Sequence, residues 1–269
     1  MRTCLNTATT RGKPLADDIR LCGEFGFEGI EIDTGKLDEF LDGCRVEDLR
    51  GLLDDCRVAC AGVMAFAFRP FGDAAEQLER IRRYGPICRA LGGEVLLAFI
   101  SDRLPEGMER AEAVERAGEV ARAYAEAAAE SGCRVALEPI GRASFMDTPA
   151  EALAVVEAAG HPALGIMVDT FHAWKSDVLP EDVRKLPGER VLIVHINDAE
   201  DVPPEQATDA NRLYPGEGIL PLAGYLDALR AIGYDGFLSM ELFRPEYWAD
   251  EHATIIRRAK EQLDAVLTR

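Results

Sequence analysis

The sequence is short of positive charge and of histidine. Its 269 residues include 48 Asp and Glu, 30 Lys and Arg, and four His, for a formal net charge of −18. Such a surface would repel nucleic acid, because phosphate binding needs a positively charged footprint. We therefore expect no nucleic-acid partner.

Several sequence signals are also absent. The seven cysteines are scattered and include no CxxC pair, which predicts reduced thiols that serve as small core residues. No apolar run is long enough to cross a bilayer, and the amino terminus lacks the basic-then-apolar pattern of a signal peptide. No Gly-x-Gly-x-x-Gly follows the first apolar run, as a dinucleotide site would require. These absences favour a cytoplasmic protein without a membrane partner.

What the chain does contain is a regular alternation of short apolar runs and longer amphipathic runs. Continuous β-branched and aliphatic runs are typical of strands buried on both faces. The strands that we predict are Thr3–Ala8, Gly29–Asp33, Val58–Phe66, Glu94–Ile100, Arg134–Pro139, Leu164–Asp169, Val191–Ile196 and Gly236–Leu242.

Helical spacing of apolar residues, with glycine or proline near the ends, predicts helices between these strands. They are Pro14–Phe25, Glu106–Ser131, Ala150–Ala159, Leu222–Ile232 and a last helix from about Ala249 to Val266. Strand followed by helix, without a break in composition, predicts one α/β domain over residues 1–269, a closed (β/α)8 TIM barrel. An open doubly wound sheet is the alternative.

Polar residues stand at the ends of four consecutive predicted strands. They are Glu138, then Asp169 with His172 three residues later, then His195, then Glu241. Any one alone is more simply a helix cap, a partner of a nearby arginine or a core residue. In a barrel, however, these ends meet at one face, where buried carboxylates repel each other and lose solvation. Few arginines are near these strand ends in the sequence, so we expect a divalent cation to compensate the charge.

The types of residue indicate which cation. Two glutamates, one aspartate and one imidazole form an oxygen-rich set that suits Zn²⁺, Mn²⁺ or Co²⁺. We predict one divalent ion, with His195 as its nitrogen ligand. For Asp198, which follows His195 closely, two interpretations stay open: it accepts a hydrogen bond from the His195 ring, or it is a loop residue.

Longer motifs carry a resemblance to a known family. They are NTATT (6–10), ALEPIG (136–141), VDTFHAW (168–174), VHINDAEDVP (194–203), NRLYPGEG (211–218) and MELFRPEYW (240–248). With these motifs the chain resembles, nearly end to end, the xylose-isomerase-like TIM barrels that act as sugar isomerases and epimerases. Within that superfamily it is most similar to isomerases of keto-inositols, and the last two motifs are the most discriminating.

The resemblance implies roles for particular residues. Glu138, Asp169, His195 and Glu241 match the family's metal ligands, and the two glutamates also match its proton-transfer pair. His172 and Arg212 match residues that hydrogen-bond substrate oxygens. The implied activity is a metal-dependent isomerisation of a keto-inositol, from the 2-keto to a 1-keto isomer, through an enediolate that a Lewis-acidic cation stabilises.

Other features are less specific. Asn6 contacts substrate or only the backbone, and Trp174 forms an apolar pocket wall or packs in the core. The chain departs from the family around Ala173–Asp177, and its FRPFGD loop (68–73) is short. Both segments are expected at the pocket wall, so the resemblance determines the substrate less closely than the fold and the metal. The partner that we expect is a cyclic polyol or sugar, and a homo-oligomer stays open.

Three other functions compete. A ketose 3-epimerase would use the same four ligands. A metal-dependent apurinic endonuclease would need a histidine-rich group of several metals, and this chain has only four histidines. A non-catalytic sugar-binding barrel would not need two opposed glutamates.

Overall fold

A closed barrel of parallel strands forms the centre of the protein. The computed structural model describes residues 1–268. The strands are β1 Arg2–Asn6, β2 Gly29–Asp33, β3 Ala59–Phe68, β4 Val95–Ile100, β5 Arg134–Glu138, β6 Leu164–Asp169, β7 Val191–Ile196, β8 Asp198–Ala199, β9 Arg212–Leu213 and β10 Phe237–Met240. Eight of them close the barrel in the order β1-β10-β7-β6-β5-β4-β3-β2, while β8 and β9 form a separate antiparallel hairpin.

Helices connect the strands. They are α1 Leu15–Phe25, α2 Thr34–Leu41, α3 Val46–Cys56, α4 Ala75–Ala90, α5 Arg110–Ala129, α6 Pro149–Ala159, α7 Thr170–Lys175, α8 Pro180–Val183, α9 Leu222–Ala231, α10 Pro245–Trp248 and α11 His252–Leu267. Short 3₁₀ turns lie at Thr7–Thr10, Gly188–Arg190 and Asp209–Asn211. Within residues 1–268, no helix is both long and apolar enough to span a membrane.

The structure confirms the predicted TIM barrel. The sixth and seventh strands have the predicted bounds, Leu164–Asp169 and Val191–Ile196. The predicted first strand was too long, because residues 7–10 turn into a 3₁₀ helix that the Asn6 side chain caps. The last barrel strand ends at Met240, so Glu241 is the first residue beyond it.

Two apolar clusters explain why the strands are buried on both faces. The larger cluster joins the strands to the surrounding helices. The smaller one takes residues from seven different barrel strands, which only the interior of the barrel can bring together. Its buried members are Cys4, Ala61, Met64, Leu97, Ala136, Met167, Ile193 and Phe237.

Close approach between β6 and the segment before β7 depends on a glycine. A Cβ at Gly165 would lie 2.5 Å from the backbone oxygen of Arg190 and 2.5 Å from Cγ of Leu192. The backbone oxygen cannot move without disturbing β7, the strand that carries His195. Gly165 therefore sets the spacing of the two strands that carry Asp169 and His195.

We expect Gly165→Ala to lower the free energy of unfolding by about 1–3 kcal/mol, the usual effect of overpacking a close contact. Gly51→Ala is the matched control, since it lies within α3 and its added Cβ would meet nothing within 4 Å. That variant should be stabilised by about 0.5–1 kcal/mol. Urea unfolding measures both, and equal effects would show that the β6 contact does not restrict the barrel.

Candidate metal centre and active site

Four of the residues predicted from the strand ends lie together. Glu138, Asp169, His195 and Glu241 are buried, and one ligand atom from each lies within 4.8 Å of the others. In the part of the chain that the structure describes, this is the one group of three or more His, Cys, Asp or Glu side chains found with such spacing. The barrel strands fix this arrangement: Asp169 pairs with His195 in register, and Glu138 ends the neighbouring strand β5.

The two oxygens of Asp169 have different partners. Oδ1 accepts hydrogen bonds from the backbone N–H groups of Phe171 at 2.7 Å and His172 at 3.1 Å, and so caps α7. Oδ2 lies 3.7 Å from Nδ1 of His195 and 2.6 Å from Nη1 of Arg212. The cap holds the carboxylate in one orientation and leaves Oδ2 facing the cluster.

His195 is fully buried, and its two ring nitrogens have different surroundings. Nε2 lies 2.9 Å from Oε2 of Glu31, so it donates to that carboxylate. Nδ1 lies 3.0, 3.7 and 3.8 Å from oxygens of Glu241, Asp169 and Glu138, yet it makes no hydrogen bond to any atom of residues 1–268. A buried nitrogen without a partner, surrounded by three carboxylates, fits a divalent cation between them.

Glu31 was missed by the sequence analysis. It lies on β2 between Ile30 and Ile32, and only 1% of its surface is exposed. A carboxylate between two apolar residues is usually on a solvent-facing side of a strand. In a closed barrel the second face of β2 points to the interior. The prediction that the barrel strands are buried on both faces could therefore have identified Glu31 as an interior residue.

Arg212 also enters the cluster, which corrects part of the sequence argument. Its guanidinium is 1% exposed and donates to Oδ2 of Asp169 at 2.6 Å and to Oε2 of Glu241 at 3.1 Å. An arginine does compensate these carboxylates, although it is not near a strand end in sequence. Glu31, Glu138, Asp169 and Glu241 still outnumber this one permanent cation, so the need for more positive charge remains.

The pKa shifts of Glu138 and His195 show the same excess of negative charge in the cluster. Burial raises the pKa of Glu138 well above its usual range; His195 opposes that shift, while Glu241 and Asp169 add to it. Burial alone would lower the pKa of His195, but the charges of Glu241 and Glu31 outweigh it and raise that pKa well above the ordinary value. The carboxylates thus favour a positive charge at Nδ1. A metal ion bound there would supply that charge in place of a proton.

His172 was expected to contact substrate, and in the structure it lies in the cavity wall with a ring N–H that can donate. Burial lowers its pKa to about 4, so the ring is neutral near pH 7. Its Nε2 lies 3.1 Å from Nη2 of Arg212, and since arginine only donates, Nε2 accepts and Nδ1 carries the proton. Nδ1 is buried without a hydrogen-bond partner among the described residues, and His172 lines the cavity.

The cavity wall includes neither Asn6 nor Trp174, the two weaker candidates for substrate contact. The Asn6 amide nitrogen donates to Glu31 at 3.1 Å and to Glu241 at 3.2 Å, and its oxygen accepts from the backbone N–H of Ala8 at 2.8 Å. Asn6 is fully buried and orients carboxylates; it is not among the residues that line the cavity. Trp174 packs against Phe171, with ring centroids 5.7 Å apart, and does not line the cavity either.

Of the two interpretations of Asp198, the structure favours a residue of the connecting segment: it is the first residue of β8, in the connection after β7. Its carboxylate accepts hydrogen bonds from the backbone N–H groups of Ala199 at 2.9 Å, Gly216 at 2.9 Å and Leu220 at 2.8 Å. These contacts close the segment that contains the β8–β9 hairpin, where Ala199 pairs with Arg212. Asp198 therefore helps to place Arg212 and does not contact His195, whose acceptor is Glu31.

A cavity of about 1080 Å³ opens above the cluster. Glu138, Glu241, His172 and Arg212 are part of its wall, so two carboxylates and two possible hydrogen-bond donors face the same space. Most of the rest of the wall is supplied by the first two βα connections with the starts of their helices, by β3, by β4 and the residue after it, and by the segment after β10. Such a site can place a small polar molecule against a bound cation.

Comparison with known proteins agrees with this geometry. The chain belongs to the xylose isomerase-like TIM barrel family, whose model matches residues 19–263. Inosose isomerase of Bacillus velezensis is 31% identical over 100% of this chain and 98% of its own, and that of Halalkalibacterium halodurans is 30% identical over 100% and 97%. A crystal structure of the IolI protein with a binding zinc atom is 28% identical, covers 100% of this chain and 98% of its own, and has a TM-score of 0.92.

These findings confirm the family resemblance seen in the sequence. They also establish that the chain is an enzyme of the isomerase type. The donor set described above is the part of this chain that fits a divalent ion.

We expect metal analysis of the purified protein to give close to one divalent ion per chain. His195→Ala removes the unpartnered nitrogen and Asp169→Asn removes a charge, so both variants should lose the ion. His161→Ala is the control, because that ring lies outside the cavity wall and accepts from the backbone N–H of Ala163. Two or three ions per chain would contradict a mononuclear site and favour the endonuclease alternative.

Proposed function

We propose that this protein is a metal-dependent inosose isomerase that converts 2-keto-myo-inositol to a 1-keto isomer. One observation carries the proposal: full-length similarity to inosose isomerases coincides with a buried group of three carboxylates and one imidazole at the base of a cavity. We propose Glu138, Asp169, His195 and Glu241 as the ligands of Zn²⁺, Mn²⁺ or Co²⁺. When bound, the ion would act as a Lewis acid toward the ketone and its neighbouring hydroxyl.

We propose Glu138 and Glu241 as the groups that move the proton. Both are 6% exposed or less, and both line the cavity. One carboxylate removes a proton from the hydroxyl-bearing carbon beside the ketone, which gives an enediolate. The other carboxylate, or the same one, returns a proton to the former ketone carbon, and the hydroxyl proton passes to the former ketone oxygen. Water is largely excluded from these carboxylates, which favours direct transfer to the substrate.

His172 and Arg212 would orient the substrate. Neutral His172 has a ring N–H without a partner among the described residues, and that group can donate to a substrate oxygen. Arg212 donates to His172, Asp169 and Glu241, so its position is fixed before any substrate arrives. A pre-organised donor pair loses little entropy when the substrate binds.

The size of the cavity favours a second candidate. Its volume of about 1080 Å³ lies just above the ~300–1,000 Å³ typical of small-molecule pockets, so an open-chain ketose would also fit. A ketose 3-epimerase uses the same proton abstraction but returns the proton to the same carbon on the opposite face. The position of the new C–H bond in the product therefore distinguishes the two activities.

The deciding experiment incubates the metal-loaded enzyme with 2-keto-myo-inositol and, separately, with free ketohexoses in D₂O, followed by NMR. Inosose isomerisation predicts a shifted ketone, with deuterium entering the ring unless the same proton is returned within the pocket. Turnover of ketohexoses alone would replace the proposed activity with the epimerase. Binding without loss of any carbon-bound proton would indicate a sugar-binding barrel.

We expect Glu138→Gln and Glu241→Gln each to reduce turnover by at least the ~10²–10⁴-fold that general acid–base catalysis contributes. Glutamine keeps a carbonyl oxygen for the ion, so metal occupancy should fall only partly. The variant that loses the abstracting base should also lose deuterium exchange into the substrate. Turnover and metal content are measured on the same samples.

The control for these variants is Glu94→Gln, which removes one charge from an exposed residue just before β4, outside the cavity wall. It should match the wild type in both measurements. Near-wild-type turnover in both cluster variants, with metal bound, would leave the two glutamates as ligands only.

We expect His172→Ala to keep its metal while kcat/KM falls on the order of 10²-fold, because the substrate loses an orienting donor. His161→Ala again serves as the matched control. Metal analysis beside steady-state kinetics checks this, and loss of the ion from His172→Ala would mean that His172 is itself a ligand.

A further inference from the structure

Glu31 is a buried carboxylate to which neither the sequence analysis nor the proposed mechanism gives a role. Its side chain accepts from Oγ of Ser239 at 2.6 Å, from Nδ2 of Asn6 at 3.1 Å and from Nε2 of His195 at 2.9 Å. These donors come from β10, β1 and β7, so the carboxylate on β2 reaches across the barrel interior to the imidazole.

A carboxylate in this position is costly unless it interacts with something specific. Burying a charge costs several kcal/mol, and neutral donors such as Ser239 and Asn6 offset only part of that. His195 is the one ionisable side chain among residues 1–268 that lies within hydrogen-bonding distance of Glu31. The buried charge therefore acts chiefly on the imidazole.

The contact decides which ring nitrogen carries a proton. An ionised carboxylate only accepts, so Nε2 of His195 must carry the hydrogen that points to Glu31. In the neutral ring Nδ1 then has the free lone pair, and Nδ1 is the atom that faces Glu138, Asp169 and Glu241. In the opposite tautomer, Nε2 would direct its lone pair at a carboxylate while Nδ1–H occupied the space for the cation.

We propose that Glu31 is a positioning residue for the metal: its hydrogen bond holds His195 in the Nε2–H tautomer and so presents Nδ1 as the ligand. Ser239 and Asn6 hold the Glu31 carboxylate in place for this purpose. Asn6 also donates to Oε1 of Glu241, so the same network orients two of the four proposed ligands. The inference rests on the proposed metal site and not on the identity of the substrate.

The first test is a competition titration of apo protein with Zn²⁺ against a chromogenic chelator. Glu31→Gln keeps the size of the side chain but removes the charge, and we expect its affinity for Zn²⁺ to fall roughly 10–100-fold. Glu28→Gln is the matched control, because Glu28 directly precedes β2, is exposed, and its carboxylate accepts hydrogen bonds only from Thr3. It should bind Zn²⁺ as the wild type does.

The second test observes the imidazole directly. Since the chain has four histidines, ¹⁵N-histidine labelling gives few enough ring signals to assign in the Zn²⁺-loaded protein. In the wild type, the His195 ring should show a protonated Nε2 and a zinc-bound Nδ1. In Glu31→Gln we expect the His195 ring signals to shift or to broaden by tautomer exchange. If Glu31 only supported the fold, the His195 signals of the zinc-bound protein would be the same as in the wild type.

The outcomes separate the hypotheses. A wild type that binds no metal overturns the proposed function and this inference with it. A wild type and a Glu31→Gln variant with affinities within twofold, both folded by circular dichroism, overturn the inference alone. Zinc bound to Nε2 in the wild type also overturns it and would make Glu31 a ligand. If Glu31→Gln does not fold, Ser239→Ala takes its place: a weaker Zn²⁺ affinity with an altered His195 signal supports the role, and an unchanged affinity contradicts it.

Discussion

The mutual repulsion of carboxylates buried at the barrel mouth is the constraint on which the rest of the site depends. Two unit charges about 4 Å apart interact by roughly 4 kcal/mol at an effective dielectric constant near 20, and this site brings four carboxylates together. Rigid parallel strands can hold such charges close, because each strand is fixed on both sides by hydrogen bonds. A site on flexible loops would relax by moving the charges apart.

Three groups in the protein offset this repulsion. Arg212 supplies a permanent positive charge between Asp169 and Glu241. The backbone N–H groups at the start of α7 stabilise the other oxygen of Asp169. His195 connects the remaining carboxylates, with Glu31 on one ring nitrogen and the cluster on the other. Each group removes part of the cost, and the space at Nδ1 is where a cation removes the rest.

Much of the fold and the four clustered residues followed from the sequence, for a physical reason. Parallel strands buried on both faces read as continuous apolar runs, and a polar residue that ends such a run is conspicuous against it. The bounds of β6 and β7 were predicted correctly because their last residues, Asp169 and Ile196, end clear apolar runs. The helices α2, α3 and α4 were not located. Pro86 interrupts the helical pattern of α4, whereas α3 has a clear apolar stripe with Leu49 and Leu53 buried and could have been located from it.

The features that the sequence did not predict share a cause: the separation of two residues along the chain does not give the direction of their side chains. Glu31 was not singled out, because it lies between apolar residues as polar residues do on a strand with a solvent-facing side, whereas a closed barrel turns that face inward. Asn6 and Trp174 lie next to residues of the site in sequence, yet Asn6 lies behind the carboxylates and Trp174 packs on Phe171. The role of Asp198 could not be chosen either, because its partners Gly216 and Leu220 are brought near by a loop closure that no local pattern encodes.

The anchoring of Arg212 has a consequence for how this barrel can diverge. The clustered carboxylates and the imidazole belong to the strands or directly follow them, but Arg212 lies on a hairpin outside the barrel, which Asp198 and the contacts of Glu200 with Asn211 and Arg244 hold closed. A loop can exchange its residues without unfolding the scaffold beneath it. Substitutions in this hairpin can therefore change which molecule the cavity accepts without moving the strand ends that carry the carboxylates and the imidazole.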